Sequence, residues 1–352
     1  MSFIDENERF ETWLRQQCPV VDDDLKRKHK KMSRDSFSFL RATFFRWSSQ
    51  IEGLCPDLKG APAVLAVGDA HVENFGTWRD SEARLVWGVN DFDDAANIPY
   101  VFDLVRLATS VQLMPKSGAG ATDVSDAILK GYRNGLAKPG PTLLDENETW
   151  MRAKVACSDD DRANFWKEID GLPAAEPPPE IVTALKASLP PDSTLERFAS
   201  RAKGGGSLGR PRFVAIADWR GGRIVREAKA LVTSGWNFAH GDLAAPIQFL
   251  TIANGVFRSP DPFLQIDAGF ILRRVTADSR KAELDDGAGS PDTRLIEAMG
   301  FDLASVHAAA SDTQAVVTDL NARPSDWLAK AAEAAAGAVE NDYAEWVNRK
   351  SK

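Results

Sequence analysis

The chain is poor in the residues that staple or metallate small proteins. Its 352 residues include three cysteines, Cys18, Cys55 and Cys157, scattered without metal-ligand spacing, which predicts buried free thiols in a reducing compartment. Only four histidines are present, His29, His71, His240 and His307. That scarcity weighs against a two-metal phosphoesterase, whose sites draw on several imidazoles. No apolar run approaches the about 20 residues that a membrane-crossing helix needs. The opening "MSFIDENERFETW" lacks the basic-then-apolar order of a secretory leader. Positive charge is not in excess either: the net charge is −8, which argues against a general nucleic-acid or anionic-membrane binder while leaving room for a local basic pocket. The expectation is a soluble cytoplasmic protein with no nucleic-acid or membrane partner.

What is present is an ordinary globular balance, 43% hydrophobic and 27% charged, in a chain long enough for two domains or one two-lobed domain. Apolar spacing of three and four predicts helices in "ERFETWLRQQC" and "SFSFLRATFFRWSSQI", separated by the basic run "LKRKHKK". Short strands are expected at "APAVLAVGD" and "ARLVWGVNDFDD", then a helix at "YVFDLVRLATSVQLM". Residues 114–150 continue as helices, and the proline-rich "GLPAAEPPPEI" reads as a boundary or linker. Beyond it, "KGGGSLGRPRFVAIADWRGGRIVREAKAL" reads as a glycine-rich turn and two strands joined at Arg220-Gly221-Gly222, and "GFILRRV" as a further strand. From about residue 292 the pattern is helical again.

The chemistry-bearing stretch is "VGDAHVENFG", residues 67–76. Phosphoryl transfer needs a carboxylate to position a hydroxyl, oxygen ligands for magnesium, a phosphate cradle and a cation. Asp69 could accept the proton, and Asn74, five residues on, could offer an amide oxygen to the metal, the spacing that kinase catalytic loops use. Seventeen residues later, "VNDFDDA" places Asp91 at the end of an apolar strand, with Asp93 and Asp94 adding charge suited to a metal or a basic partner. The competing reading is a solvated acidic turn. In "KGGGSLGRP", Gly204, Gly206 and Gly209 satisfy G-x-G-x-x-G and lead into a strand rather than a helix, as a phosphate-covering hairpin does; a flexible boundary turn is the alternative.

The second strand, "GRIVREAKAL", offers Arg226 and Lys229 on opposite faces, so one of them would point at phosphates, with Glu227 an ion-pair partner. The segment His240-Gly241-Asp242 mimics a catalytic loop, but Ile247 stands where a metal ligand would fall, so it reads as a turn. Asp103 and Arg106 lie one helical turn apart and could brace the loop or form a surface pair. Arg273, Arg274, Arg280 and Lys281 form the densest basic cluster, and Arg41 is a lone cation in an apolar helix.

Together "VGDAHVENFG", "VNDFDDA", "FDLVRLA", "KGGGSLGRPRFVA", "REAKAL" and "RRVTADSRK" resemble the bacterial domain-of-unknown-function family DUF2252. That family resembles the aminoglycoside-phosphotransferase and choline-kinase branch of the kinase-like superfamily, with its segments in permuted order. The resemblance implies an α+β, two-lobed fold: a mostly helical catalytic lobe at 1–180, a small antiparallel-sheet nucleotide lobe at 195–290, and helices at 291–352 packing on the first. It implies ATP and Mg2+ as cofactors and a small-molecule acceptor. Asp69 would be the base with His71 two residues on, as in that branch, and Asp103 would brace the loop. Asn74, Asp91 and Asp93 would be the metal side chains, and Gly204, Gly206, Ser207 and Gly209 the phosphate loop with Arg226 or Lys229 as cation. Two departures stand out: Val67 replaces a usual histidine, and "REAKAL" carries Arg226 where lysine is usual. A nucleotide-binding pseudokinase and an AMP transferase are the alternatives.

Overall fold

The computed structural model describes residues 1–115, 120–146, 148–281 and 292–349. The stretch of the expected sheet lobe beyond Lys281, and the few positions of the expected helical regions that fall in the gaps, lie outside the described residues.

The chain begins with α1 (Phe3–Gln17) and α2 (Asp22–Met32). The basic run expected to separate helices is itself helical, because α2 starts on Asp22, Asp23 and Asp24 and ends on His29, Lys30 and Lys31, matching both ends of its dipole. The single helix expected at "SFSFLRATFFRWSSQI" is broken into α3 (Ser36–Leu40) and α4 (Phe44–Leu54). The break has a local and a distant cause. Thr43 Oγ1 donates to the Phe39 carbonyl at 2.8 Å, and the Leu40 carbonyl accepts from Arg106 Nη2 at 2.6 Å as well as from Thr43 N at 3.2 Å in a tight turn.

Strand β1 (Ala63–Ala66) pairs antiparallel with β4 (Ala96–Pro99), and β2 (Phe75–Arg79), β3 (Leu85–Val89) and β5 (Thr142–Leu143) form a second antiparallel sheet. Three of these strands, β2, β4 and β5, were not expected. They are short, and β2 and β4 carry glycine, arginine or proline in place of a period-two apolar pattern. Helix α5 (Tyr100–Gln112) follows β4 and is buried from Tyr100 to Val111, making it the axis of the helical body. Around it lie α4, α6 (Ala121–Ala137), α12 (Thr293–Ala308) and α14 (Trp327–Asn348), with α7 (Thr149–Val155) and α13 (Thr313–Ala322) outside. The fold is thus α+β with antiparallel sheets.

The largest sheet has the order β6-β7-β8-β10-β9, from β6 (Thr194–Ser200), β7 (Arg212–Trp219), β8 (Gly222–Ala230), β9 (Gln265–Asp267) and β10 (Phe270–Arg274). The expected hairpin is present, with Trp219 paired to Gly222 across the turn. Helix α8 (Asp159–Asp170) packs Phe165, Trp166 and Ile169 on Val214, Ile216 and Val225, while α9 (Pro179–Ala187) packs Ile181, Ala184 and Leu185 on Ala215, Ala228 and Leu272 of the other face. The proline-rich segment is a piece of this unit rather than a free linker: Ala175 N donates to Phe198 O and Ser200 N to Pro173 O along the β6 edge. Short helices α10 (Gly235–His240) and α11 (Phe249–Ala253) lead from β8 toward β9.

Helices α6 and α12 approach most closely at glycines. A Cβ on Gly131 would overlap the Glu297 carbonyl, and one on Gly300 the Ile128 carbonyl. Backbone cannot rotate away as a side chain can, so overpacking of about 1–3 kcal/mol outweighs the roughly 1 kcal/mol by which alanine favours a helix. Gly131→Ala and Gly300→Ala are each expected to lower the urea midpoint; an unchanged or raised midpoint would show that the helices can separate freely.

Candidate active site

The loop after β1 is held by its backbone. Asp103, in the first turn of α5, accepts from Val67 N at 2.7 Å and Gly68 N at 2.9 Å, one bond to each carboxylate oxygen. Its Oδ2 also meets His307 Nε2 at 3.0 Å, and His307 Nδ1 lies 2.8 Å from the Tyr132 hydroxyl. Helix α12 thus brings a buried imidazole to the same brace. Gly68 has φ +81°, and a Cβ there would overlap the Asp94 carbonyl, so loop and acidic turn touch through backbone.

Asp69 is gripped by Arg106, whose Nε and Nη2 both donate to Oδ1, at 3.0 and 2.7 Å. Arg106 thus serves Asp69 rather than its helical neighbour Asp103. The guanidinium is fully buried, lying 5.4 Å from the ring centroids of both Phe44 and Trp47. Burial pushes the Asp69 carboxyl above the usual carboxylate range, against the pull of Arg106 and Arg41. Its second oxygen, Oδ2, is 3.6 Å from His71 Nε2. Burial drives the His71 imidazole well below its usual pKa, and Arg41, Lys281 and Arg106 push the same way, so the ring is neutral and the contact is not an ion pair.

Asn74 ties the two acidic motifs together. Its Nδ2 donates to the Asp69 carbonyl at 3.2 Å and the Asp91 carbonyl at 3.0 Å, while its own carbonyl accepts from Asn90 N. Asp91 receives Lys229 Nζ at 2.9 and 3.1 Å on its two oxygens. The same ammonium lies 2.8 Å from Asp93 Oδ2, which also accepts from Arg210 Nη1 at 3.0 Å. Burial alone would raise the Asp91 carboxyl; Lys229 and Arg273 reverse that and hold it far below the usual range. Burial raises Asp93, with the Asp91 charge adding to it, and raises Asp94 to about 6. Asp94 accepts from Gly235 N at 2.6 Å.

Lys229 and Arg226 are now separated. Glu227 and Lys229 point to the cleft side of the sheet, while Arg226 lies on the α9 side, donating to Ser188 O at 3.0 Å with its guanidinium 4.2 Å from the Phe263 ring centroid. Arg226 is therefore not in the cleft. Glu227 does not pair with Lys229; it is fully buried among Arg201 at 2.8 Å, Arg212 at 3.3 Å and Arg273 at 2.8 Å. Those guanidinium groups, opposing burial, hold its carboxyl well below the usual range.

The glycine turn connects β6 to β7 and faces the same cleft. Gly204, Gly206 and Ser207 line it; Gly209 does not, packing on Leu25 while its carbonyl accepts from Val21 N at 2.8 Å. Lys31 Nζ donates to Gly204 O at 2.9 Å, and Arg212 Nη2 to Ser207 Oγ at 3.0 Å. Among the described residues, the N–H groups of Gly204, Gly205, Gly206 and Ser207 are engaged in no hydrogen bond, leaving donors for an anion. The cleft encloses about 780 Å³. Twelve lysines and arginines line it against seven carboxylates, so an acidic protein carries a basic cleft.

The basic cluster at the end of β10 reaches this cleft, and each member is paired: Arg273 with Glu227, Arg274 with Asp261, Arg280 with Asp161 and Lys281 with Glu73. Arg41 also pairs with Glu73, at 2.7 Å. His240-Gly241-Asp242 ends α10, with Gly241 in the left-handed cap position, Asp242 exposed and none of the three lining the cleft. Cys18 and Cys55 are buried free thiols, but Cys157 is half-buried.

Asn74 and Asp91 have the chemistry of an open magnesium site, since that ion takes one or two carboxylates and otherwise water and phosphate oxygens. Asp93 could join them through one oxygen: its Oδ2 is shared by two cations, while its Oδ1 is buried without a partner among the described residues. Among the described residues no group of three or more His, Cys, Asp or Glu side chains forms a closed metal cage.

Residues 20–156 match the model of a family described as "Uncharacterized protein conserved in bacteria (DUF2252)". The match covers Asp69 through Arg106 and ends before the glycine turn and Lys229. No curated protein and no solved structure matches the chain. Among the described residues no helix is long and apolar enough to cross a membrane.

Glu227→Gln leaves three guanidinium groups facing a neutral amide, and at pH 7 should cost about 3 kcal/mol of stability. The folded-state pKa of Glu227 is depressed, so below its ordinary value of 4.5 the unfolded chain takes up the proton first. The stabilisation is present above that pH and is lost as pH falls toward the folded-state value. Urea titrations from pH 7 to 3 should therefore show wild type and variant converging; parallel curves would deny the charge a role.

Proposed function

We propose that this chain is a Mg-ATP-dependent phosphotransferase that acts on a hydroxyl of a small-molecule acceptor, with a kinase-like arrangement whose segments run in permuted order. The observation that carries the reading is the contact of Lys229 with Asp91 across 138 residues of sequence, together with a glycine turn whose N–H groups from Gly204 to Ser207 are free among the described residues. Asp69, Asn74, Asp91 and that turn line one basic cleft. A hydroxyl, an oxyanion and a cation thus each have a suitable neighbour within one volume.

In this reading Asp69 Oδ2 accepts the hydroxyl proton as the oxygen bonds to the γ-phosphorus and the bridging bond to ADP breaks. Arg106 fixes the carboxylate's orientation through Oδ1, and burial raises its affinity for the proton. The N–H groups of Gly204 to Ser207 and the Lys229 ammonium would hold phosphate oxygens. Asn74 and Asp91 would hold magnesium, which when bound neutralises charge on the transferring group.

One observation favours a nucleotide-binding protein without transfer. Arg106 already occupies one oxygen of Asp69, and Lys229 both oxygens of Asp91. Transfer of AMP is the other alternative. Products from ATP labelled separately at the α and γ positions distinguish the three outcomes.

Asp69→Asn removes the base at constant shape and should lower ATP consumption with candidate hydroxyl acceptors by about 10²–10⁴-fold, leaving the Mg-ATP thermal shift intact. Consumption unaffected by the change would mean that Asp69 is not the base. Lys229→Met should weaken ATP binding about tenfold or more, the value of a charge-assisted bond, while Arg226→Met stays near wild type in the same titration. The reverse order would give the cation's role to Arg226.

A further inference from the structure

Lys28 is the one lysine of α2's basic run that faces inward. It shares a buried stripe with Leu25 and Met32 and is 1% exposed. Its Nζ lies 5.4 Å from the Phe10 ring centroid, and Phe10 stacks on Phe45 at 4.1 Å. Among the described residues no hydrogen bond or ion pair reaches this ammonium, yet Lys28 lines the cleft beside Phe10, Phe44 and Phe45. Burial brings its pKa down to about 8, so at neutral pH the group is still mostly charged.

Neither carboxylate that faces it forms an ion pair with it among the described residues, and each accepts from another donor through one oxygen. Glu11 on α1 is bound by His29 Nε2 at 2.6 Å and Asn7 Nδ2 at 2.9 Å. Asp94 accepts from Gly235 N, and Arg210, a like charge, is paired with Asp93. A buried ammonium without a hydrogen-bonded partner is costly, and the Phe10 face and the more distant Glu11 and Asp94 charges offset only part of that cost. The apolar wall adjoins the reacting carboxylate: Gly235 packs on Phe44 and Phe45 and binds Asp94, whose carbonyl abuts Gly68.

We propose that the acceptor is a carboxylate-bearing molecule with an apolar, ring-sized body, and that the Lys28 ammonium binds its carboxylate while Phe10, Phe44 and Phe45 hold the body. An ammonium almost wholly buried beside three rings matches a monoanion carried on an apolar body, whereas a phosphate dianion finds free N–H donors, among the described residues, at the glycine turn of the same cleft. Only the word acceptor rests on the phosphotransferase reading; the site stands without it.

The test uses the full chain without nucleotide and benzoate as the probe, with benzamide and inorganic phosphate as controls. At tenfold excess over its dissociation constant, benzoate should raise the melting temperature by about 2 °C in wild type and not in Lys28→Met, which keeps the shape and removes the charge. Benzamide should do neither, and any shift with phosphate, which the glycine turn can take, should be the same in both proteins. Should the variant fail to fold, protection of Lys28 from acetylation by benzoate, read by mass spectrometry, decides the same question. Equal effects of benzoate on both proteins, no effect on either, a benzamide effect equal to that of benzoate, or a phosphate effect that Lys28→Met abolishes would overturn the proposal. Because ATP is absent, benzoate binding can hold while the Asp69→Asn assay fails, and the reverse.

Discussion

The ammonium of Lys229 sits where two distant parts of the chain meet. It is carried by the central region of the five-stranded sheet and lies within hydrogen-bonding reach of Asp91 and Asp93, which follow β3 in the helical body. Remove it, and two carboxylates face each other across a buried gap with Arg210 and Arg273 left to compensate. At the cleft the sheet is thereby docked by charge, while Ala230, Leu231, Val232 and Ile271 join it to the main apolar core. That choice suits a cleft, because an ion pair can exchange partners with an incoming anion or cation where a packed apolar seam cannot. The carboxylate that fits a magnesium ion and the cation that fits a phosphate hold each other in the ligand-free protein.

The same economy extends through the site. Asp69 is held by Arg106, Asp93 by Arg210 and Lys229, Glu227 by Arg201, Arg212 and Arg273, Glu73 by Arg41 and Lys281. Buried charges of this kind stabilise little in net terms, since desolvation offsets much of the attraction. Their effect is to fix geometry, because each carboxylate has one orientation that satisfies its partner. Lys28 departs from this rule as a buried cation without such a partner among the described residues.

Much of the site was legible where the chemistry is local. The spacing of Asp69, Asn74 and Asp91 places three side chains around two loop backbones that Asn74 then joins, and the glycine turn opens a strand as its proline and β-branched neighbours imply. What stayed hidden depends on contacts between distant segments. Strand alternation puts Arg226 and Lys229 on opposite faces but cannot say which face α9 covers; Ala228, small and apolar beside them, was the available signal. His307 lies 204 residues from Asp103, on a helix whose apolar pattern gives no reason to single it out. Asp103 and Arg106, a turn apart, could brace the loop or pair with each other; Asp103 binds the backbone of Val67 and Gly68, and Arg106 binds Asp69. The same arginine marks the break between α3 and α4, since its guanidinium shares the Leu40 carbonyl with the tight-turn N–H of Thr43.

That last contact joins fold and site in a way neither element reveals alone. Arg106 Nη2 donates at once to Leu40 O and Asp69 Oδ1, so the end of α3 and the orientation of the reacting carboxylate are set by one nitrogen. Its guanidinium lies against Phe44 and Trp47, in the first turn of the helix that begins where α3 stops. Three residues beyond Leu40, the chain turns back and brings Phe44 and Phe45 to the cleft wall beside Lys28. A helix running unbroken through "SFSFLRATFFRW" would withdraw both the carbonyl that anchors Arg106 and the aromatic wall. The local break in helical propensity is therefore a condition for the site, and it is maintained by a side chain that the site itself positions.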